Sequence, residues 1–256
     1  PQQKKRGSSF QSKTYQKTIE NNYKGAELIL DALAKMVKND RSTIKFVGAL
    51  LGTSARSTGH FLRQIAIPIG KQEGIGIRKE GKGKGTIIKG EGVSEHTLPA
   101  AFVAEYLFDA VVNDDVTKRF PLIKNNYFQL GLLNESDNKL KDITGKSGNV
   151  YNFAATPPAE FIAKVEEAIK NKDYKNLPNI FMRYTHPDVN NNNGGINLNN
   201  IVINGKTVPE MFGLKKLDPK KITPDIIKIQ NDAIYDHLNN GTSKTNLRNT
   251  VDSQIQ

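Results

Sequence analysis

The chain has no cysteine among its 256 residues. Disulfides, thiolate metal sites and cysteine nucleophiles are therefore excluded, which fits a reducing compartment or a particle that does not depend on cross-links. Long apolar runs are also missing, since no stretch approaches the roughly 18 residues of a membrane-spanning helix, and the polar, basic start of the chain does not have the pattern of a signal peptide. These absences predict a protein without a membrane span, located in the cytoplasm or in a virion made there.

Apolar and aromatic residues are scarce, at 37% and 7% of the chain. This composition predicts a modest core with long polar loops. Common catalytic motifs are missing as well: there is no serine-hydrolase elbow, H-E-x-x-H zinc helix or dinucleotide-binding G-x-G-x-x-G. Residues 76–83 come close to a phosphate-binding loop, but Gly83 replaces the hydroxyl residue that binds magnesium, and a turn and strand are predicted to follow instead of a helix. The sequence therefore excludes an ATPase.

Positive charge is concentrated in the first third of the chain. Residues 1–94 contain 18 Lys and Arg against 7 Asp and Glu, whereas residues 95–256 contain 19 of each, so the first third supplies the whole net charge of +11. Such a charge distribution attracts a polyanion and releases its counterions, which gives salt-sensitive binding without sequence preference. We therefore expect nucleic acid as the partner, with a solvated lysine-rich face and acidic membrane lipid as the alternatives.

These patterns divide the chain into four predicted parts. Residues 1–17 form a flexible basic arm, 18–94 a basic helical part with a glycine- and lysine-rich hairpin, 95–241 a neutral α+β part, and 242–256 a polar tail. The predicted fold class is α+β, with a helical N-terminal part, a short basic β-hairpin and a remainder of mixed helices and loops. We expect both terminal segments to reach neighbouring subunits or to wrap a partner.

Apolar periodicity and residues typical of helix ends predict the helices. The segment after the helix that Pro99 opens is expected to be polar and poor in helix as far as Pro157, and a short hairpin is expected around Ile201–Ile203. The predicted helices cover residues 18–38, 43–51, 55–65, a stretch from Pro99 onward, 159–170 and 224–238. The second is capped by Ser42 or Thr43 and ended by Gly52, and the last is capped by Thr223.

Basic residues in three segments are the candidate contacts to nucleic acid. The first segment is the N-terminal arm, the second is TSARSTGHFLRQ, and the third lies between Gly70 and Gly92, where GIGIRK and GTIIKG predict two short strands joined by EGKGKG. Glycine in such a hairpin lets main-chain amides approach phosphate. An ordinary surface helix and a mobile surface loop are the alternatives for the last two segments. The candidate contacts are Lys4, Lys5, Arg6, Arg56, Arg63, Arg78, Lys79, Lys82, Lys84 and Lys89.

A Glu-His-x-x-Pro element follows the predicted hairpin, at Glu95, His96 and Pro99. It resembles the first element of His-Me finger nucleases of the HNH type, in which an acidic residue and a histidine end a strand. The resemblance implies that His96 is the general base that activates water, and that Glu95 and His186 are ligands of Mg²⁺ or Mn²⁺. It also implies that an asparagine orients the histidine, either Asn134 or Asn138. A helix cap with a surface pair is the alternative, and no cofactor is then expected.

Three longer segments, EHTLPAAFVAEYL, NYFQLGLLNESDNKL and NLPNIFMRY, are similar to small proteins encoded by tailed phages. This likeness implies a phage origin and no defined reaction. Three hypotheses follow for the function: a noncatalytic nucleic-acid-associated or virion protein, a divalent-metal-dependent nuclease, and a ribosome-associated RNA-binding protein. The first accounts for the arms, the basic third and the lack of a complete catalytic set.

Overall fold

A computed structural model describes residues 13–52, 65–66, 68–75, 92–145, 148–174, 176–192 and 194–255, with side chains from Lys17 onward. It confirms the predicted α+β class, because helices surround a mixed five-stranded sheet and a second sheet has two strands. Within these residues, no helix combines the length and the apolar character that crossing a membrane requires.

The main sheet brings together segments that are far apart in the chain. The strands are β1 (Pro68–Gln72), β2 (Gly92–His96), β3 (Gln129–Leu133), β4 (Ile143–Thr144), β5 (Val150–Tyr151), β6 (Ile201–Ile203) and β7 (Lys206–Thr207). The order in the main sheet is β2-β3-β1-β6-β7, and β4 pairs with β5 in the small one. Strand β1 runs parallel to β3, and the other neighbours are antiparallel. The chain therefore leaves β1 and enters β2 at the same end of the sheet.

The helices pack around this sheet in one continuous core that runs from Tyr23 to Val251. They are α1 (Lys13–Asn39), α2 (Ile44–Leu51), α3 (Ala100–Val112), α4 (Val116–Asn126), α5 (Asn134–Asn138), α6 (Ala159–Asn171), α7 (Phe181–Thr185), α8 (Pro187–Asn192), α9 (Val208–Met211), α10 (Pro224–Asn240) and α11 (Lys244–Gln254). Helix α1 packs against α3 and α4 and buries Leu30 and Val37. The basic third therefore takes part in the same core as the neutral remainder, and the charge boundary at Ser94 falls inside β2.

Several predicted helix and strand ends are confirmed. The Thr223 hydroxyl accepts a hydrogen bond from the Ile226 amide at 3.3 Å and caps α10. Gly52 ends α2 in the left-handed conformation, where glycine has no Cβ to clash. Helix α10 runs two residues beyond the predicted Leu238, to Asn240, and Gly241 then ends it in the same conformation. The β6–β7 hairpin turns at Asn204 and Gly205, both with positive φ, as a type I′ turn requires.

Residues 13–17, predicted as part of the flexible arm, already belong to helix α1, and two further segments differ from the prediction. Helix α4 lies in the stretch expected to be helix-poor, and it contains Pro121; burial of its apolar face offsets the hydrogen bond that proline cannot make. Residues 242–256, predicted as a polar tail, contain helix α11, in which Leu247 and Val251 are buried. These two side chains lie four positions apart on one face and pack into the core. The predicted helix over 55–65 lies almost wholly outside the described residues, as do the strands within 74–90 and residues 1–12 of the arm.

Candidate functional site

Glu95 and His96 end strand β2, opposite Leu130 and Gln129 of β3. Neighbouring residues of a strand point to opposite faces of the sheet, so the two side chains of the predicted nuclease element have different surroundings. The Glu95 carboxylate forms an ion pair with Arg183. The His96 ring stacks on the Tyr127 ring, with centroids 5.6 Å apart and planes 14° apart.

Arg183 is the centre of the network around Glu95. It lies on the short helix α7, is completely buried, and has its guanidinium 5.4 Å from the centre of the Tyr184 ring. Its Nη1 donates to the carbonyl oxygens of His96 at 2.8 Å and Thr97 at 3.2 Å. Its Nε donates to the Phe153 carbonyl and its Nη2 to the Glu95 carboxylate. One side chain therefore joins β2, α7 and the segment after β5.

The electrostatics of this network oppose the charge on Glu95. Burial raises the pKa of the Glu95 carboxyl, and the nearby Asp137 raises it further, while Arg183 acts in the opposite direction. Asp137 is itself buried and pairs with Lys141 at 2.6 Å. Arg183, Glu95 and Asp137 therefore lie where water has little access, which requires mutual pairing, whereas Lys141 reaches Asp137 from the surface with 41% of its side chain exposed. A metal bound here would have to share the Glu95 carboxylate with Arg183.

His186 lies three residues beyond Arg183, and its environment is different. Its Nδ1 accepts a hydrogen bond from the Asp188 amide at 3.1 Å, and its Nε2 faces the Glu160 carboxylate at 3.6 Å. The Phe153 and Tyr235 rings meet the imidazole edge to face, with centroids 4.9 and 5.3 Å away. Burial lowers the pKa of His186, and Glu160 and Asp188 oppose that effect.

The structure thus gives the two predicted metal ligands, Glu95 and His186, separate partners. Phe153 connects their surroundings, because its carbonyl oxygen accepts a hydrogen bond from Arg183 and its ring packs on His186. Across the described parts of the chain, no group of three or more His, Asp or Glu side chains has an arrangement that could hold a metal. Asn134 and Asn138, the residues expected to orient His96, both lie on α5, directly after β3.

The ten predicted nucleic-acid contacts all lie outside the described residues, so the structure gives only the points where their segments join the fold. Helix α1 begins at Lys13, after the arm that contains Lys4, Lys5 and Arg6. The segment with Arg78, Lys79, Lys82, Lys84 and Lys89 starts after Ile75 and ends before Gly92. These two residues touch: a Cβ on Gly92 would lie 2.6 Å from Ile75 Cδ1 and 2.7 Å from the Leu132 carbonyl oxygen. Only glycine fits this junction.

Sequence reasoning missed Arg183 and Glu160. Arg183 had a signal, because it is the single charge in the apolar run IFMRY, and a charge placed among core residues needs a buried partner. Glu160 had none, since a glutamate in the first turn of a helix is ordinary.

No known protein family, curated protein or solved structure matches the chain.

Proposed function

We propose that this protein is a noncatalytic nucleic-acid-associated protein, of the kind that virions contain, which contacts the phosphate backbone through its basic first third. The distribution of charge is the observation that supports it: 18 basic against 7 acidic residues before residue 95, and equal numbers after it. Lysine and arginine that neutralise phosphates release counterions, and this supplies affinity without sequence recognition.

The junction at Ile75 and Gly92 also supports the proposal. Strands β1 and β2 flank β3, and the segment between them is attached at both ends to the same end of the sheet. The segment that contains five of the candidate basic residues is therefore attached to the fold at a single junction. The network around Arg183 favours a noncatalytic role, because it uses Glu95 to hold β2 to α7.

The test measures binding of labelled duplex DNA, duplex RNA and single strands across a series of salt concentrations. We expect log K to fall linearly with log salt, by about 0.9 per neutralised phosphate on duplex DNA. The test variant replaces Arg78, Lys79, Lys82, Lys84 and Lys89 by Gln and is expected to lower both the affinity and the slope. The control variant makes the same charge change on five exposed lysines of the neutral part: Lys206, Lys215, Lys216, Lys220 and Lys221.

Equal losses in the two variants would show that total charge, and not its location, determines binding. A salt-independent affinity in the parent would refute the proposal. Preference for RNA over DNA would move the protein to the ribosome-associated class. Incubation with plasmid and Mg²⁺ or Mn²⁺ tests the nuclease hypothesis, and cleavage that is lost in His96→Ala would establish it in place of the noncatalytic role.

A further inference from the structure

A pocket of about 360 Å³ opens beside His186, between the β4–β5 sheet and the first turns of α6 and α8. Its described lining contains two carboxylates and two aromatic rings, and neither Lys nor Arg is among these residues. All of the described lining belongs to the neutral part of the chain. The lining residues are Val150, Tyr151, Asn152, Phe153, Thr156, Pro157, Ala159, Glu160, Ile162, His186 and Asp188.

The two carboxylates lie on opposite edges of the His186 ring. Because Nδ1 accepts the Asp188 amide hydrogen, the proton of the neutral imidazole lies on Nε2, which faces Glu160. His186 is therefore placed to orient Glu160, whose side chain is 46% exposed. The Asp188 carboxylate lies 3.9 Å from Nδ1. Because the imidazole ring lies between them, the Glu160 and Asp188 carboxylates do not converge on one metal ion. Together they make the pocket anionic.

Aromatic surface completes the pocket. The Tyr151 and Phe153 rings stack with centroids 6.1 Å apart, and Tyr151 remains 37% exposed. An ammonium or guanidinium group near an aromatic face is attracted by the ring quadrupole, and its alkyl part can cover apolar side chains such as Val150 and Ile162. A neutral ligand would remove water from the carboxylates without replacing those interactions.

We propose that this pocket binds an organic cation of the alkylammonium or guanidinium type, with Glu160 as its counter-ion and Tyr151 as its aromatic contact. The described lining of the pocket includes none of the candidate nucleic-acid contacts, and cation binding does not depend on the proposed binding of nucleic acid. His186 is a positioning residue that holds the Glu160 carboxylate at the mouth of the pocket.

The test uses the full chain with labelled Ile and Val methyl groups, titrated with choline, agmatine or a short arginine-containing peptide and followed by NMR. We expect saturable shifts of Val150 and Ile162 and none at Val37, a buried residue of α1. The neutral isostere of choline, 3,3-dimethyl-1-butanol, should bind at least about tenfold more weakly. The order of the three cations then shows which headgroup is preferred and whether it comes as a free molecule or as a side chain.

Glu160→Gln should weaken cation binding at least about tenfold. Glu167→Gln, an exposed residue of the same helix, should leave it unchanged. The methyl spectrum of each variant also reports whether the fold is intact. The proposal is overturned if the neutral isostere binds as tightly as choline, if Glu160→Gln binds like the parent, or if no cation shifts Val150 and Ile162 at about 10 mM.

Discussion

Glu95 and Glu160 each face a basic side chain from the same short stretch of chain, Arg183 and His186, and yet the two sites differ in kind. Arg183 is completely buried and its carboxylate partner is 15% exposed, whereas Glu160 is 46% exposed at the edge of a pocket. Arg183 also donates to three backbone carbonyl oxygens. The comparison shows that burial and the number of hydrogen bonds determine whether a carboxylate and its basic neighbour support the fold or leave the carboxylate open to a ligand.

Arg183→Met should have the largest effect on stability. The variant leaves three carbonyl groups without their donor and Glu95 without its counter-ion, and breaking such a buried pair usually costs about 3–5 kcal/mol. Urea denaturation measures the change. A loss below about 1 kcal/mol would mean that the network does not hold β2 to α7. Adding Glu95→Met to this variant should recover part of the stability, because no buried charge is then left alone.

The lowered pKa of His186 should make the stability of the protein depend on pH. The pKa of His186 is lowered in the fold, so below its unfolded value of about 6.5 the unfolded state takes up a proton that the folded state does not. Stability therefore falls as the pH decreases from 6.5 towards the folded pKa, by at most about 1.4 kcal/mol per pH unit.

His186→Asn removes this titration, because Asn can still accept the Asp188 amide hydrogen but does not ionise in this range. The comparison is between the unfolding free energies of parent and variant from pH 8 to 5. An identical acid slope in both proteins would contradict the prediction.

Glu95→Gln should cost about 3 kcal/mol at neutral pH, because Arg183 is completely buried and loses its counter-ion, although the Gln amide oxygen can still accept a hydrogen bond from it. The fold raises the pKa of Glu95 and lowers the pKa of His186, so the two groups change stability with pH in opposite directions. The folded state binds a proton at Glu95 more tightly than the unfolded state does. This contribution to stability is therefore complete below the unfolded pKa of about 4.3 and is lost as the pH rises through the folded pKa. Relative to the Gln variant, the parent should lose stability over this rise, which denaturation at pH 4 and pH 7 measures.

Glu160→Gln should have the smallest effect on stability, within about 0.5 kcal/mol, since exposed pairs contribute little. The same substitution should instead weaken the binding of organic cations strongly. Thermal unfolding in the presence and absence of agmatine measures both quantities in one experiment. A strongly destabilised Glu160→Gln would place Glu160 with Glu95 as part of the fold and remove the contrast between the two sites.

Local signals predicted much of the fold. Thr223 caps α10, Gly52 ends α2, and Pro99 precedes α3, because each of these residue types has a backbone preference or a capping group that acts within a few residues. The same reasoning missed α4 and α11, whose sequences are weak helix formers in isolation. Their stability comes from packing of Phe120, Leu122 and Ile123 in one case and of Leu247 and Val251 in the other.

The candidate sites were less predictable than the helices. Glu95, His96 and His186 were singled out through a resemblance to His-Me finger nucleases, and the structure gives them different partners. The Arg183 network unites residues 95, 153 and 183, and the pocket unites residues from 150 to 188. Contacts between such distant segments depend on the sheet order and helix packing, which no local pattern specifies.

The sequence by itself determined the asymmetric charge and the ends of several helices, since charge is a sum over residues and capping acts between neighbours. Tertiary structure alone decided which ionisable groups meet and how much water reaches them. It buried Arg183 against Glu95 and left Glu160 open beside His186. Solvation and pairing set the free energy of a charge, and both depend on atoms that are remote in the chain.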